Sequence, residues 1–344
     1  MVFRRLTRAQ RVGQLFMAGT PATVASATTL RVIARQHVGS VILTGRSHAG
    51  ATATRALTRR LQAAATTAAT GGVPLVVSAD QEGGNVQVLQ GPGFSRMPTA
   101  LTQGGWTPAA LKGTSRVWGR QLAGAGVNLN LAPVMDTVPS AAAARTNPPI
   151  GYYRREFGYT PAVVASHGTA FIAGMASSRV ATAVKHFPGL GRVRANTDTS
   201  AGVTDTVTTA HDAYLAPFAA GVRAGTLFLM PSTAYYSRID PRHPAAFSAT
   251  VLQGLVRRQL GFRGVIVSDD LGSARQVARW TPGQRATSFI DAGGDLVLTV
   301  DASVIPAMVQ AVTVRMASSP AFARKVDAAA LRVLTAKQRM GLLR

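Results

Sequence analysis

The chain alternates short apolar segments with longer amphipathic segments over most of its length. Eight apolar runs rich in Val, Leu and Ile each close on small, polar or charged residues. Short runs of this kind, bounded by turn-forming residues, are typical of strands buried in parallel sheets. The predicted strands are residues 14–20, 38–45, 74–80, 127–134, 180–187, 226–233, 264–270 and 295–300.

The intervening segments are rich in Ala and predict helices, for example over residues 52–69 and 248–261. Eight strands joined by helical crossovers predict an α/β fold, the (β/α)8 TIM barrel. A doubly wound open sheet is the alternative, but it requires a GxGxxG-type turn after the first strand, which this sequence lacks. No Pro, Ser or Gly-rich linker interrupts the 344 residues. We therefore predict one domain over residues 1–344. Its last predicted element is a C-terminal helix around Val326 to Gly341.

Chemically useful side chains stand at the ends of three predicted strands. Asp80 ends the third strand, Lys185 and His186 end the fifth, and Asp269 and Asp270 end the seventh. The chain has only 14 acidic residues, so three carboxylates at strand ends are a selective placement. Barrel enzymes carry their active sites at these ends. A carboxylate opposed by Lys and His is suited to general acid–base catalysis or to nucleophilic attack at an acetal carbon.

Four sequence motifs follow one another on the third, fourth, fifth and seventh predicted strands. They read Asp-Gln-Glu-Gly-Gly at 80–84, Asn-Leu-Asn-Leu-Ala-Pro-Val at 128–134, Lys-His-Phe-Pro-Gly at 185–189 and Ser-Asp-Asp-Leu at 268–271. In this order they resemble the successive signatures of glycoside hydrolase family 3. More narrowly, the chain resembles the single-domain bacterial β-N-acetylglucosaminidases of that family, which act in peptidoglycan turnover.

The resemblance implies roles for individual residues. It makes Asp269 the nucleophile of a retaining mechanism, which forms a glycosyl–enzyme intermediate, and it makes Asp80, Lys185 and His186 ligands of sugar hydroxyl groups. Arg155 matches a substrate-binding arginine of the family, with Arg154 beside it as the alternative register.

Two further carboxylates in these motifs, Asp270 and Glu82, are interpreted as structural. Asp270 lies on the opposite face of the seventh strand from Asp269, because side chains alternate along a strand. Glu82, considered by itself, is interpreted as a buried group that ties neighbouring strands.

The loop after the fifth strand departs from the family pattern, in which an Asp–His pair supplies the general acid/base. Counted from Lys185, the family's histidine position is occupied by Asp198 and its partner position by Asn196. Two hypotheses follow. In the first, Asp198 is the acid/base, as a carboxylic acid is in most glycosidases. In the second, the acid/base is lost and the barrel binds cell-wall glycan without efficient turnover.

Arg192 and Arg194 in the same loop have two interpretations. They reflect the Arg-rich composition of the chain, or they tune the pocket to an anionic amino sugar and keep Asp198 ionised. The chain has 37 Lys and Arg against 14 acidic residues, a net charge of +23. This charge predicts attraction to polyanions, either nucleic acid or the anionic polymers of a bacterial wall, and does not by itself choose between them. With the resemblance, we expect association with anionic cell-wall polymer and rank specific nucleic-acid binding lower.

We predict a carbohydrate substrate, an amino-sugar glycan, and no cofactor or metal. His37, His48, His167 and His243 have no partners at metal-ligand spacing, and the absence of cysteine excludes disulfides and thiolate sites. No segment has the length of a transmembrane helix. The expected location is secreted or cell-envelope in a bacterium if a leader was removed, and cytoplasmic otherwise.

Overall fold

The computed structural model describes residues 2–343. Its main sheet has eight parallel strands, and each overlaps one of the predicted apolar runs. The strands are β1 (Phe16–Pro21), β2 (Ser40–Thr44), β3 (Val76–Ala79), β4 (Leu129–Asn130), β5 (Ala181–Phe187), β6 (Phe228–Pro231), β7 (Val265–Ile266) and β8 (Val297–Thr299).

Helices fill most of the connections between the strands. They are α1 (Val2–Arg5), α2 (Arg8–Gly13), α3 (Ala27–Gln36), α4 (Gly50–Ala63), α5 (Thr67–Thr70), α6 (Ala100–Gln103), α7 (Pro108–Gly124), α8 (Ala141–Ala144), α9 (Pro161–Ala176), α10 (Ala216–Arg223), α11 (Pro282–Ala292), α12 (Ile305–Ser318) and α13 (Pro320–Arg339). A π-helix, Thr250–Gln259, joins β6 to β7.

Local sequence explains where several of these helices begin. Thr107 and Thr160 accept hydrogen bonds from backbone N–H groups in the first turns of α7 and α9, and a proline follows each threonine. Proline suits the first helical turn because its missing N–H would have no partner there. Thr281 and Gln284 form a reciprocal capping box at the start of α11.

The strands of the sheet follow the order β7-β6-β5-β4-β3-β2-β1-β8. The sheet is curled, so that its two outer strands approach one another. Val267 and Leu296 form a parallel bridge beside β7 and β8, and the Ser268 N–H donates to the Leu296 carbonyl at 2.9 Å. Because all eight strands are parallel, their C-terminal ends and the loops that follow lie on one side of the sheet.

The opposite end of the sheet is closed by α13, the predicted C-terminal helix. Val333 and Ala336 of this helix pack on an apolar cluster from the strands that includes Met17 and Phe228. The Lys337 amino group is fully buried and donates to three oxygen acceptors of the chain. Burial lowers the pKa of this amine to about 7, and a buried polar group of this kind requires hydrogen-bond partners. Within residues 2–343, no helix is both long and apolar enough to cross a membrane.

Candidate functional site

A pocket of about 530 Å³ opens at the C-terminal ends of the strands, and we call it the site pocket. Its inner wall includes apolar side chains of the strands, such as Met230 and Leu298. All six residues that the sequence predicted for the site line it: Asp80, Arg155, Lys185, His186, Asp198 and Asp269. The structure therefore brings the predicted residues together from distant parts of the chain.

Lys185 and His186 are adjacent in β5, yet both line the site pocket. Regular alternation would send them to opposite faces. The register of β5 against β6 shifts between Lys185 and Phe187, which interrupts that alternation.

Lys185 is buried between two carboxylates. Its Nζ lies 2.5 Å from Oδ1 of Asp80 and 2.7 Å from Oε1 of Glu82. Burial opposes the positive charge, but the charges of Asp80 and Glu82 outweigh burial and raise the pKa of Lys185. Lys185 is therefore an ammonium that holds Asp80 in place, and Asp80 stays 29% exposed toward the pocket.

Arg155 and Glu82 form a bidentate ion pair in the wall of the pocket. Nε and one terminal nitrogen of Arg155 each lie 2.8 Å from a Glu82 carboxylate oxygen. Burial raises the pKa of Glu82, but the Arg155 and Lys185 charges outweigh that effect and lower it to about 2. Arg154 takes a left-handed conformation, with φ of 55°, and its side chain is exposed. Of the two arginines, Arg155 thus lines the pocket.

A short strand, Gln81–Gly83, follows Asp80 and is fastened to β4. The Gln81 N–H donates to Oδ1 of Asn130 at 3.1 Å, and Nδ2 of Asn130 donates to the Gln81 carbonyl at 2.9 Å. Asn130, from the motif at 128–134, therefore holds the motif at 80–84 in place.

His186 is oriented by Asp136, a fully buried residue in the loop after β4. Nδ1 of His186 donates to Oδ2 of Asp136 at 2.7 Å, because an ionised carboxylate can only accept. The same carboxylate accepts the His186 N–H at 3.2 Å and the Leu190 N–H at 2.7 Å. Nε2 of His186 lies 3.4 Å from Arg155, a donor, so Nε2 carries the lone pair and faces the ion-pair network.

Asp269 and Asp270 have different environments. Oδ1 of Asp269 accepts the Asp270 N–H at 2.9 Å, and within the described residues this is the one hydrogen bond to its carboxylate. The Asp270 carboxylate accepts three backbone N–H groups, from Gly272, Ser273 and Val300, at 2.9–3.0 Å. Asp270 thus joins the loops that follow β7 and β8, while Asp269 keeps an oxygen free in the pocket.

Asp198 stands at the open mouth of the site pocket, in the loop after β5. Its N–H donates to Oδ1 of Asn196 at 2.9 Å, and its carbonyl accepts the Arg275 N–H at 3.0 Å. Although the residue is solvent-exposed, desolvation by the pocket and then the negative charge of Asp269 raise the pKa of Asp198 to about 6. The two carboxylates therefore interact electrostatically across the pocket.

Arg192 and Arg194 do not line the site pocket. Arg192 turns outward, where it donates to Asp212 at 2.6 Å and lies 3.7 Å from the Tyr214 ring centroid. Arg194 is exposed on the outer side of the loop. The interpretation that these arginines tune the pocket to an anionic sugar and keep Asp198 ionised is therefore wrong. Asp212 neutralises Arg192. The groups that lower the pKa of Asp198 are Arg155 and His186, and the pKa is raised on balance.

Asp136 is the principal site residue that the sequence reasoning missed. It lies two residues beyond the fourth predicted strand, where no pattern distinguishes it from a loop residue. The one signal in the sequence is that Asp136 is an acid two residues after a motif in a chain with only 14 acidic residues.

The site combines two kinds of group. Charged side chains that are already paired, Asp80, Lys185 and Arg155, present fixed donors and acceptors of the type that bind sugar hydroxyls. Asp269 and Asp198 are two carboxylates with different surroundings, and the charge of one raises the pKa of the other. Such a pair can divide the roles of nucleophile and proton donor.

Comparison with known proteins agrees with this geometry. Residues 7–336 match the Glycosyl hydrolase family 3 N terminal domain. A beta-hexosaminidase from Vibrio cholerae is 33% identical over 286 residues, which cover 79% of this chain and 78% of the relative.

Two solved structures share the fold. A beta-N-acetylhexosaminidase from Beutenbergia cavernae is 57% identical with a TM-score of 0.96, over 97% of this chain and 99% of the other. A family 3 beta-N-acetylglucosaminidase from a Paenibacillus species is 31% identical with a TM-score of 0.89, over 98% of this chain and 63% of the other. The family match spans nearly the whole sequence, and the chain therefore belongs to glycoside hydrolase family 3 and is a hydrolase of O-glycosyl bonds.

Proposed function

We propose that this protein is a retaining β-N-acetylhexosaminidase that removes terminal β-linked N-acetylglucosamine-type residues from cell-wall glycans. The observation that carries the proposal is that Asp198 and Asp269 line one pocket and that the pKa of Asp198 is raised to about 6, in part by the charge of Asp269. The named activities of the similar proteins from Vibrio cholerae and Beutenbergia cavernae support the sugar class.

The reaction proceeds in two displacements. The free carboxylate oxygen of Asp269 attacks the anomeric carbon while the bond from that carbon to the leaving oxygen breaks, and the Asp198 proton transfers to the leaving oxygen. In the second displacement, Asp198 takes a proton from water, the water oxygen bonds to the anomeric carbon, and the Asp269 carboxylate is released. Two inversions at one carbon retain its configuration.

The paired charges hold the sugar during both displacements. Asp80 accepts a hydrogen bond from a hydroxyl group, while Lys185, Arg155 and His186 bind other hydroxyls of the ring. Because these groups are paired with one another, little reorganisation is needed when the substrate binds.

A glycan-binding barrel with slow turnover is the second candidate. A carboxylic acid with a pKa of about 6 is protonated in only about one molecule in ten at pH 7, which limits proton donation. The absence of the family's loop histidine favours this candidate as well. It predicts saturable binding of cell-wall glycan fragments without release of the sugar.

We also propose that the curled sheet closes as a (β/α)8 barrel and that the domain spans residues 1–344. The bridge between Val267 and Leu296 supports closure, since it joins the two outer strands of the sheet. We further propose that the protein acts at the bacterial cell envelope. The net charge of +23 supports this location, because it favours attraction to anionic cell-wall polymer.

An aryl β-N-acetylglucosaminide tests the proposed activity. Release of the aryl alcohol is expected, and Asp269→Asn is expected to reduce it by at least about 10³-fold because the nucleophile is removed. Asp327→Asn is the matched control, since Asp327 is a half-exposed acid of α13 that lies near Arg11, outside the site pocket. A mechanism-based fluorinated glycosyl probe followed by peptide mapping identifies the labelled residue. Label on a residue other than Asp269 would contradict its assignment as the nucleophile. Saturable binding without hydrolysis would favour the glycan-binding barrel with slow turnover.

A further inference from the structure

A second depression, which we call the outer groove, lies beside the site pocket. Its volume is about 680 Å³, and it is open to solvent. It is lined by Ala201 and Gly202 of the loop that continues from Asp198, by Tyr235 after β6, and by Arg275 and Arg279 after β7.

One short segment of chain separates the outer groove from the site pocket. Ser273 and Ala274 line the site pocket, while Arg275 and Arg279 of the same segment line the outer groove. The Arg275 N–H donates to the Asp198 carbonyl at 3.0 Å. The groove therefore begins directly behind the residue that we assign as the proton donor.

The outer groove is positively charged. Arg275 and Arg279 are both exposed, and the residues that line the groove include no Asp or Glu. Arg279 is held in place, because it donates to the Tyr235 hydroxyl at 2.9 Å and its guanidinium lies 4.0 Å from the Trp280 ring centroid. Within residues 2–343, the Arg275 side chain has no hydrogen-bond or ion-pair partner, so its donors are free to bind a ligand.

The position of the groove indicates which part of a substrate reaches it. A general acid must face the leaving oxygen, so the aglycone extends from the site pocket on the side of Asp198. We propose that the outer groove binds an anionic group of the aglycone, a carboxylate or a phosphate, through Arg275 and Arg279. This inference rests on the proposed function, because it takes Asp198 as the proton donor. Arginine forks fit both kinds of anion, since their donors match paired oxygens.

Three disaccharides test the inference. Each carries β-linked N-acetylglucosamine on a second sugar that bears a carboxylate, a phosphate, or the methyl amide of the same carboxylate. The measured quantity is the ratio of kcat/KM for each charged substrate to kcat/KM for the neutral amide. The unaltered protein is expected to prefer one or both charged substrates, and the preferred one distinguishes carboxylate from phosphate.

The double variant Arg275→Gln/Arg279→Gln is expected to lower that ratio about 3- to 10-fold, as expected for two solvent-exposed charge interactions. Added salt should reduce the preference of the unaltered protein in the same direction. Arg31→Gln/Arg35→Gln is the matched control, because it removes the same charge from exposed positions on α3 and is expected to keep the ratio. An unchanged ratio in the groove variant, or an equal fall in the control, overturns the proposal.

A binding measurement separates failure of this inference from failure of the proposed function. If none of the three disaccharides is hydrolysed, their binding is measured by calorimetry on the unaltered protein and on the groove variant. Tighter binding of a charged disaccharide, lost in the variant, supports the groove even though the hydrolase assignment fails. Equal binding of charged and neutral disaccharides overturns the groove.

Discussion

Nδ1 of His186 donates to Oδ2 of Asp136 at 2.7 Å, and the Asp136 carboxylate also accepts the backbone N–H groups of His186 and Leu190. One buried carboxylate therefore orients an imidazole in the pocket and fastens the start of the loop that carries Asp198. Asp136 itself does not line the site pocket, so it acts as a positioning residue.

Asp136→Asn should lower kcat/KM about 10-fold or more, because an amide nitrogen would then face donors and leave a buried polar group unpaired. The expected signature is a change in the His186 imidazole tautomer, seen in ¹⁵N NMR spectra, in protein that remains folded. Asp301→Asn is the control, since Asp301 is an exposed acid that caps one short helical turn. A folded Asp136→Asn protein with unchanged kcat/KM and tautomer would show that the contact does not position His186.

Asp198 should set the alkaline side of the pH–rate profile. Its pKa is raised to about 6, first by desolvation and then by Asp269, and a proton donor loses activity as pH rises through its pKa. The rate should therefore fall above about pH 6. Asp198→Asn should remove this pH dependence and reduce kcat/KM about 10²- to 10⁴-fold on substrates with poor leaving groups.

The Asp198→Asn variant should lose activity but keep or gain thermal stability at pH 7. A carboxyl whose pKa is raised on folding stabilises the protein below the unfolded pKa and loses that contribution as pH rises through about 6. The neutral amide avoids this loss, so the variant should unfold at a temperature equal to or above that of the unaltered protein at pH 7. Loss of activity together with loss of stability would argue against this account.

Glu82→Gln should destabilise the fold by about 3–5 kcal/mol, because it removes the carboxylate that Arg155 and Lys185 share and leaves their buried charges less well compensated. The measurement is urea unfolding at pH 7. In the unaltered protein, the lowered pKa of Glu82 contributes stability that is complete above its ordinary value of 4.5 and is lost as pH falls through about 2. A double-mutant cycle with Arg155→Gln measures the coupling, and additive effects would show that the ion pair is not the cause.

Glu156→Gln should stabilise the protein at alkaline pH. The Glu156 side chain is fully buried, and no other residue among those described donates a hydrogen bond to its carboxylate oxygens. Burial raises the pKa of Glu156 to about 7, so its contribution to stability is lost as pH rises from 4.5 through about 7. The variant should gain about 1–3 kcal/mol at pH 8 and little at pH 4, measured by urea unfolding at both values. Equal effects at the two pH values would contradict the buried acid as the cause.

The apolar runs predicted all eight strands because strand formation in a buried sheet depends on local patterns of apolar residues. The polar residues that end those runs predicted the lining of the site pocket, since parallel strands carry their C-terminal ends to one side. Asp80, Lys185 and Asp269 were therefore accessible from the sequence. The bounds were less accurate: β4 and β7 each keep two residues of a longer predicted run, because the chain leaves the sheet early to form the loops around the pocket.

Loop conformation was decided by tertiary structure, because contacts between residues far apart in sequence determine it. Arg192 illustrates this point: sequence position placed it beside the substrate, but Asp212 and Tyr214 hold it outside the site pocket. Asp136 illustrates the converse. No sequence pattern marks it, yet in the folded chain its carboxylate binds His186 of β5. The sequence by itself determined the strands and the carboxylates at their ends, through local burial and alternation. Only the tertiary structure decided which charges pair, which carboxyl is raised in pKa and where the outer groove lies, because each of these depends on packing between separate loops.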